Sequence, residues 1–448
     1  MNTSSYVIAE FAANLQFEDI PTEVVRRCED LLLDTLGSMY AGSTEAPVQK
    51  IAAFAKEQGP ADGSAQLIPS GQKTSPYFAA MVNAAAAHMV EQDDLHNSSV
   101  FHPACVVFPP ALAMAQDLNA SGKALLTACV VGYEVGIRVG EFLGRSHYKV
   151  YHTTATAGTI AAAATVGRLL GLTTAQMQDA LGSAGTQAAG LWEFLKTAAD
   201  SKQLHTAKAA ANGLMAASLA AKGFSGAEDI FDGEKGMGKA FSQAPQSDKL
   251  VAGLGQRWAL LETSFKYHAS CRHTHPAADA LWAVMQKHHL NADDIAGVQT
   301  FVHQAAIDVL GAVDKPATVH QSKFSMGTVL GVLAYNGFAG LDEFEAALGD
   351  ARIDAFRQKV TMQLDPEVDA AYPDKWLGKV KVLTKDGRAL EAFVSDPKGD
   401  PGNTLSRDEI EEKVKRLVSY NKAGTSEDAT RIIAWTWGLA AGQSDLPL

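Results

Sequence analysis

Thr156–Leu170 (TAGTIAAAATVGRLL) and Thr206–Lys222 (TAKAAANGLMAASLAAK) decide the fold. Ala has the highest helix propensity, and its small side chain lets two helix backbones approach closely. Both runs therefore predict helices that lie deep in a helical core. Working outward, apolar spacing at i, i+3 and i+4 predicts further helices at Val24–Met39, Ser75–Val90, Pro109–Leu118, Gly122–Phe142 and Thr174–Gly182. Pro21-Thr22-Glu23 reads as a helix start, and Gly171, Gly223 and Gly226 follow helical runs as C-terminal caps do. The first ~260 residues are nearly all helix on this reading.

The pattern changes after Ser264. Gly297–Gln304 (GVQTFVHQ) and Val360–Asp365 (VTMQLD) alternate in the manner of strands, and Lys379–Thr384, Lys385-Asp386-Gly387 and Arg388–Val394 read as a hairpin with an Asp-Gly turn. Helices are predicted between them at Pro276–His288, Phe324–Tyr335 and Leu341–Leu348. Ser395–Asn403 is rich in turn residues, and Ser406–Val418 returns to a charged amphipathic helix suited to docking on the helical part. The expected architecture is mostly α: a large all-helical domain, 1–263, completed by 403–448, with an inserted α+β lid domain at 264–402. A chain of 448 residues suits two domains.

Composition narrows the function. A formal charge of −12, from 38 basic and 50 acidic residues, argues against nucleic acid as a partner but not against a small anion in a locally basic pocket. Cys28, Cys105, Cys129 and Cys271 are scattered with no CxxC pair, which indicates neither a zinc site nor a disulfide framework. The N-terminal residues lack a basic, then apolar, leader pattern, and Ala155–Val166 is too short to span a bilayer. A cytoplasmic protein without membrane contact is expected. No GxGxxG after a strand, Walker A, HExxH or GxSxG is present, and Gly233–Lys239 (GEKGMGK) matches no phosphate loop.

Four stretches carry candidate chemistry. His88–Pro103 (HMVEQDDLHNSSVFHP) crowds Glu91, Asp93, Asp94, His88, His96 and His102 behind an apolar run. A solvated helix end accounts for such charges as well, but His beside carboxylates is suited to proton exchange near neutral pH. His147–Thr154 (HYKVYHTT) opens a helix whose N-terminus favours a carboxylate, or else ends in an ordinary Thr cap with His152 at the surface. Lys202 and His205 precede the second Ala-rich run, where a solvated lysine is the default. Phe265–His273 (FKYHASCRH) gathers Lys266, Cys271 and Arg272 at the change of pattern, where pockets tend to form. His273-Thr274-His275 offers two potential metal ligands without a partner cluster, so capping or supporting roles are preferred.

Taken in order, these stretches resemble the MmgE/PrpD family. The resemblance runs from Leu33-Asp34-Thr35-Leu36-Gly37 through the His88–Pro103 block, Gly132-Tyr133-Glu134, His152, Lys202-x-Leu-His205 and Gly223-Phe224-x-Gly226 to Phe265-Lys266-Tyr267 and Phe324-Ser325. It implies a helical domain built from both chain ends, a lid, a cleft between them, a homodimer, and no metal or organic cofactor. Carried over by position, it implies site residues at Glu91, Leu95, His102, His152, Lys202, Lys266, Cys271 and about Thr328. The dehydratases and decarboxylases of the family often have Asp, Thr, His and Tyr where Glu91, Leu95, Cys271 and Thr328 stand here.

Removing a proton α to a carboxylate builds up charge that nearby cations must stabilise. The expectation is a cofactor-independent epimerase of a small amino- or iminopolycarboxylate such as iminodisuccinate. His102, Lys202, Lys266 and Cys271 are assigned to catalysis, although an inert buried thiol accounts for Cys271 as well. Glu91, Asp93, His152, Lys208 and Arg272 are assigned to substrate binding. The alternatives are a lyase resembling 2-methylcitrate dehydratase or a decarboxylase, acting on a hydroxy- or unsaturated tricarboxylate, and an inactive polycarboxylate-binding relative.

Overall fold

The computed structural model describes residues 3–197, 199–311 and 313–442. It is mostly α, and the chain divides into two compact units: Met1–Met89, Asp93–Thr263 and Ser406–Leu448 form the first, Val90–Gln92 and Ser264–Leu405 the second.

The core of the first unit is the crossing of the helices Thr153–Leu169 and Ser201–Ala220. Their contact faces are Ala, Gly and Thr. At Gly213 even a Cβ would lie 2.4 Å from the Ala162 Cβ and 2.5 Å from the Thr159 carbonyl oxygen, so the backbones meet where only hydrogen fits. The helices Pro76–Met89, Ala104–Leu118 and Gly122–Tyr148 pack around this pair. From the far end of the chain, Arg407–Ser419 lies against Thr22–Ser43, where Lys413 Nζ meets Asp34 Oδ1 at 2.6 Å with both side chains buried.

Several local expectations need correction. The unit is not wholly helical: Ala65–Gln66 pairs antiparallel with Lys73–Thr74. The helix expected from Pro109 begins at Ala104 and carries Pro109 and Pro110 inside it. Proline is favoured at a first helical position, which made Pro109 look like a start. The helix expected to end at Phe142 continues to Tyr148 across a break at Gly144. Those expected from Thr156 and Thr206 begin at Thr153 and Ser201, which brings His152 and Lys202 to helix N-termini. No helix among the described residues is long and apolar enough to cross a membrane.

The second unit is built on a four-stranded sheet in the order Val360–Leu364, Ile295–Val302, Gly378–Thr384, Ala389–Val394. The first pair is parallel and the others antiparallel. Val380, Val382 and Thr384 alternate inward, and the helix His275–His288 packs on this strand. The Asp-Gly hairpin turn is present, with Gly387 at φ 89°, which a side chain rarely adopts.

Candidate active site

In the first unit the end of the helix Pro76–Met89 delivers His88 into a group of buried polar residues. His88 Nδ1 donates to Asp93 Oδ2 at 2.6 Å, with both side chains fully buried. The same carboxylate oxygen lies 3.4 Å from His102 Nδ1, which donates to the Asp94 carbonyl at 2.6 Å. A nitrogen facing a carbonyl must carry the proton, so neutral His102 has its lone pair on Nε2. Asp94 anchors this corner: the Tyr133 hydroxyl donates to it at 2.7 Å and the Ala104 amide at 3.0 Å. Burial raises the Asp94 carboxyl well above the usual range, and these two bonds oppose it.

His152 precedes the helix Thr153–Leu169 without a side-chain capping bond, and its Nδ1 is 3.3 Å from His205 Nδ1. The His88 ring stacks on His152 with centroids 5.6 Å apart and meets His102 edge-on at 4.9 Å. Burial pushes His152 well below its ordinary value, and the charges of His88, His205, Lys202 and His102 add to the shift. His205 is lowered to about 4, first by burial, then by His88, Lys202 and Lys208. Two imidazoles in this group are thus held neutral beside a lysine. Lys202 is buried in the first turn of Ser201–Ala220, contrary to the solvated reading of its sequence, and His152 is likewise buried. Lys208, expected to bind substrate, is exposed, two turns further along the same helix.

One potential ligand atom each from His88, Asp93 and Cys105 falls within 4.8 Å. The 2.6 Å separation of His88 and Asp93 is a direct hydrogen bond, too short for two ligands of one tetrahedral ion. Leu95 is buried and apolar.

The second unit holds the other predicted residues. Lys266 Nζ is 2.9 Å from Glu91 Oε2, and both are buried. Glu91 adopts φ 59°, an uncommon conformation for a side-chain-bearing residue, and the neighbouring Gln92 Nε2 donates to the His268 carbonyl at 2.8 Å. Cys271 is a buried thiol preceding the turn Arg272–Thr274, and its amide donates to the Lys323 carbonyl at 2.9 Å. Arg272, expected to bind substrate, has its guanidinium buried against Asp400, and Nη1 donates to His275 Nδ1 at 3.2 Å. Among the described residues the Arg272 Nε has no hydrogen-bond partner. His275 Nε2 then donates to the Ser270 carbonyl at 3.3 Å, and burial holds both His273 and His275 well below the ordinary value. Thr328 donates to Ser325 Oγ at 3.0 Å and lines a cavity of about 240 Å3 with Lys315, Ser322, Leu348 and Ile353.

The sequence reading named Asp93, His102, His152 and Lys202 but did not nominate His88 or His205. Both were legible as members of dense polar runs. Their roles emerge only from contacts across the fold.

The model of the MmgE/PrpD N-terminal domain matches residues 7–249 and that of the C-terminal domain residues 268–439. A cis-aconitate decarboxylase of Aspergillus terreus is 28% identical, over 96% of this chain and 92% of its own. A cis-aconitate decarboxylase-like protein of Aspergillus oryzae is 29% identical, over 92% and 90%. The cis-aconitate decarboxylase of Homo sapiens is 26% identical, over 90% and 85%. With both domain models matched in order along the chain, this protein belongs to the MmgE/PrpD family.

Proposed function

We propose that this protein is a lyase acting on a small unsaturated or hydroxylated tricarboxylate, and that the first unit's histidine group moves the proton. The observation that carries this reading is the carboxylate of Asp93 lying against both His88 and His102, beside neutral His152 and His205 and the buried Lys202. Loss of CO2 leaves an electron pair on carbon, next to a remaining carboxylate. A lysine stabilises that charge as it grows, and an imidazolium backed by a carboxylate supplies the proton that ends it. The names of the relatives support decarboxylation over dehydration. The test is incubation with cis-aconitate in D2O, followed by NMR. Release of CO2 with one deuterium on the product carbon is expected; recovery of unchanged, unlabelled substrate would refute the reading.

A second reading is epimerisation of an amino- or iminopolycarboxylate such as iminodisuccinate. It is favoured by apolar Leu95, the Cys271 thiol and Thr328, which alter the polar set that the resemblance implies for elimination. The same experiment on an enantiopure substrate separates the two. Deuterium at Cα with loss of optical purity, and no CO2 or water released, selects the epimerase. As partners we propose the small polycarboxylate and a second copy of the chain, the latter checked by light scattering at twice the chain mass.

A further inference from the structure

We propose that His88 is a catalytic residue of this reaction, presenting Nε2 to the substrate while Asp93 holds Nδ1; the assignment rests on the lyase reading above and names a residue within that site. Among the described residues, His88 Nε2 is buried and has no hydrogen-bond partner. A histidine kept only for packing would satisfy both nitrogens, because an unpaired buried nitrogen costs free energy. A bound carboxylate or a reacting carbon would complete it.

The surroundings are those of a proton-transfer group rather than a strut. Asp93, at 2.6 Å, fixes the tautomer with hydrogen on Nδ1 and stabilises the imidazolium when Nε2 is protonated. His102 lies edge-on, His152 is stacked on the ring, and the charges of His88 and Lys202 both act on His152 and His205. Asp93 and Cys105 lie in the same cluster, and the buried Asp94 carboxyl is close enough to feel the Asp93 charge. His88 therefore acts on the same neutral imidazoles, His152 and His205, on which Lys202 acts. In the balanced step the bond to the departing carboxylate breaks and CO2 leaves. Its electron pair remains on carbon and forms a C–H bond with the proton of His88 Nε2. His88 is left neutral and takes its next proton from water.

His88→Asn tests this, because the Asn amide can still donate to Asp93 where Nδ1 did, while nothing replaces Nε2. With the wild-type enzyme turning over cis-aconitate, the variant is expected to lose at least 100-fold in kcat with KM within threefold. The limb of the pH profile that requires a protonated group should disappear with it. Asp93→Asn, which reverses the tautomer, should lower kcat similarly. A His88→Asn enzyme that keeps a third of wild-type kcat and the same pH profile overturns the assignment while leaving the lyase reading intact. If His88→Asn does not fold, the wild-type protein labelled with 15N-histidine is titrated with tricarballylate. A shift of the resonance from the Nδ1–H tautomer paired to Asp93 is expected, and saturation binding that leaves it unmoved overturns the proposal. A wild-type protein that neither binds tricarballylate nor turns over cis-aconitate sinks the lyase reading, and this assignment with it.

Discussion

Acid should act first on the buried imidazoles. His152 is held well below its ordinary value by burial, and burial also takes His147 and His205 to about 4. In the unfolded chain these groups titrate near 6.5, so between that value and 4 the unfolded state binds more protons. The stability they contribute is complete above pH 6.5 and is lost as pH falls through this window. The thermal midpoint is expected to drop between pH 7 and pH 5, and to drop less in a His147→Gln variant. A midpoint that stays flat would contradict this account. At this scale the sequence was informative about residue type and silent about surroundings. Lys202 sits among Asp200, Ser201 and Gln203, and nothing in that run reveals that tertiary packing covers its ammonium. The pairing of Arg272 with Asp400 was not legible, because the two are 128 residues apart.

Helix contacts set where the polar residues stand. The Ala-rich runs revealed the two central helices, because composition alone favours both the helix and its close approach to another. Their first turns were not legible, since Thr153-Thr154-Ala155 and Ser201-Lys202-Gln203-Leu204-His205 lack the Ala pattern that marks the rest. The helices Ser4–Asn14, Ala46–Gln58 and Ser426–Gly438 were not delimited from the sequence either. The crossing at Gly213 allows a sharp test. Gly213→Ala should destabilise by about 1–3 kcal/mol despite the better helix propensity of Ala, because its methyl would meet backbone atoms of Thr159 and Ala163. Chemical denaturation measures it, and a stabilised variant would show that the helices part without cost.

Across the whole molecule, the change of pattern read at Ser264 coincides with the start of the second unit's main segment. The three-residue excursion Val90–Gln92 was invisible, because its neighbours, Lys266 for Glu91 and His268 for Gln92, are far away in sequence. The closure of the helical unit by the chain's far end buries Ile410, Val414, Leu417 and Val418 and carries ion pairs: Lys413 with Asp34, and Arg407 with Glu29 and Asp30. Lys413→Met should cost about 3–5 kcal/mol by leaving the Asp34 carboxylate buried without its cation, and Asp34→Leu in the same chain should recover most of it. Urea unfolding of the single and double variants gives the comparison; equal midpoints for both would refute it.

That closure also places a clock on biosynthesis. Asp30 and Arg407 are 377 residues apart, so at ribosomal speeds the first helices wait roughly 20 to 75 seconds for the segment that seals them. Until then the apolar face of Thr22–Ser43 has no cover from Arg407–Ser419. A chain that stops short of Arg407 would leave that face without its partner helix, so chaperones that hold exposed apolar surface would have a target for most of synthesis.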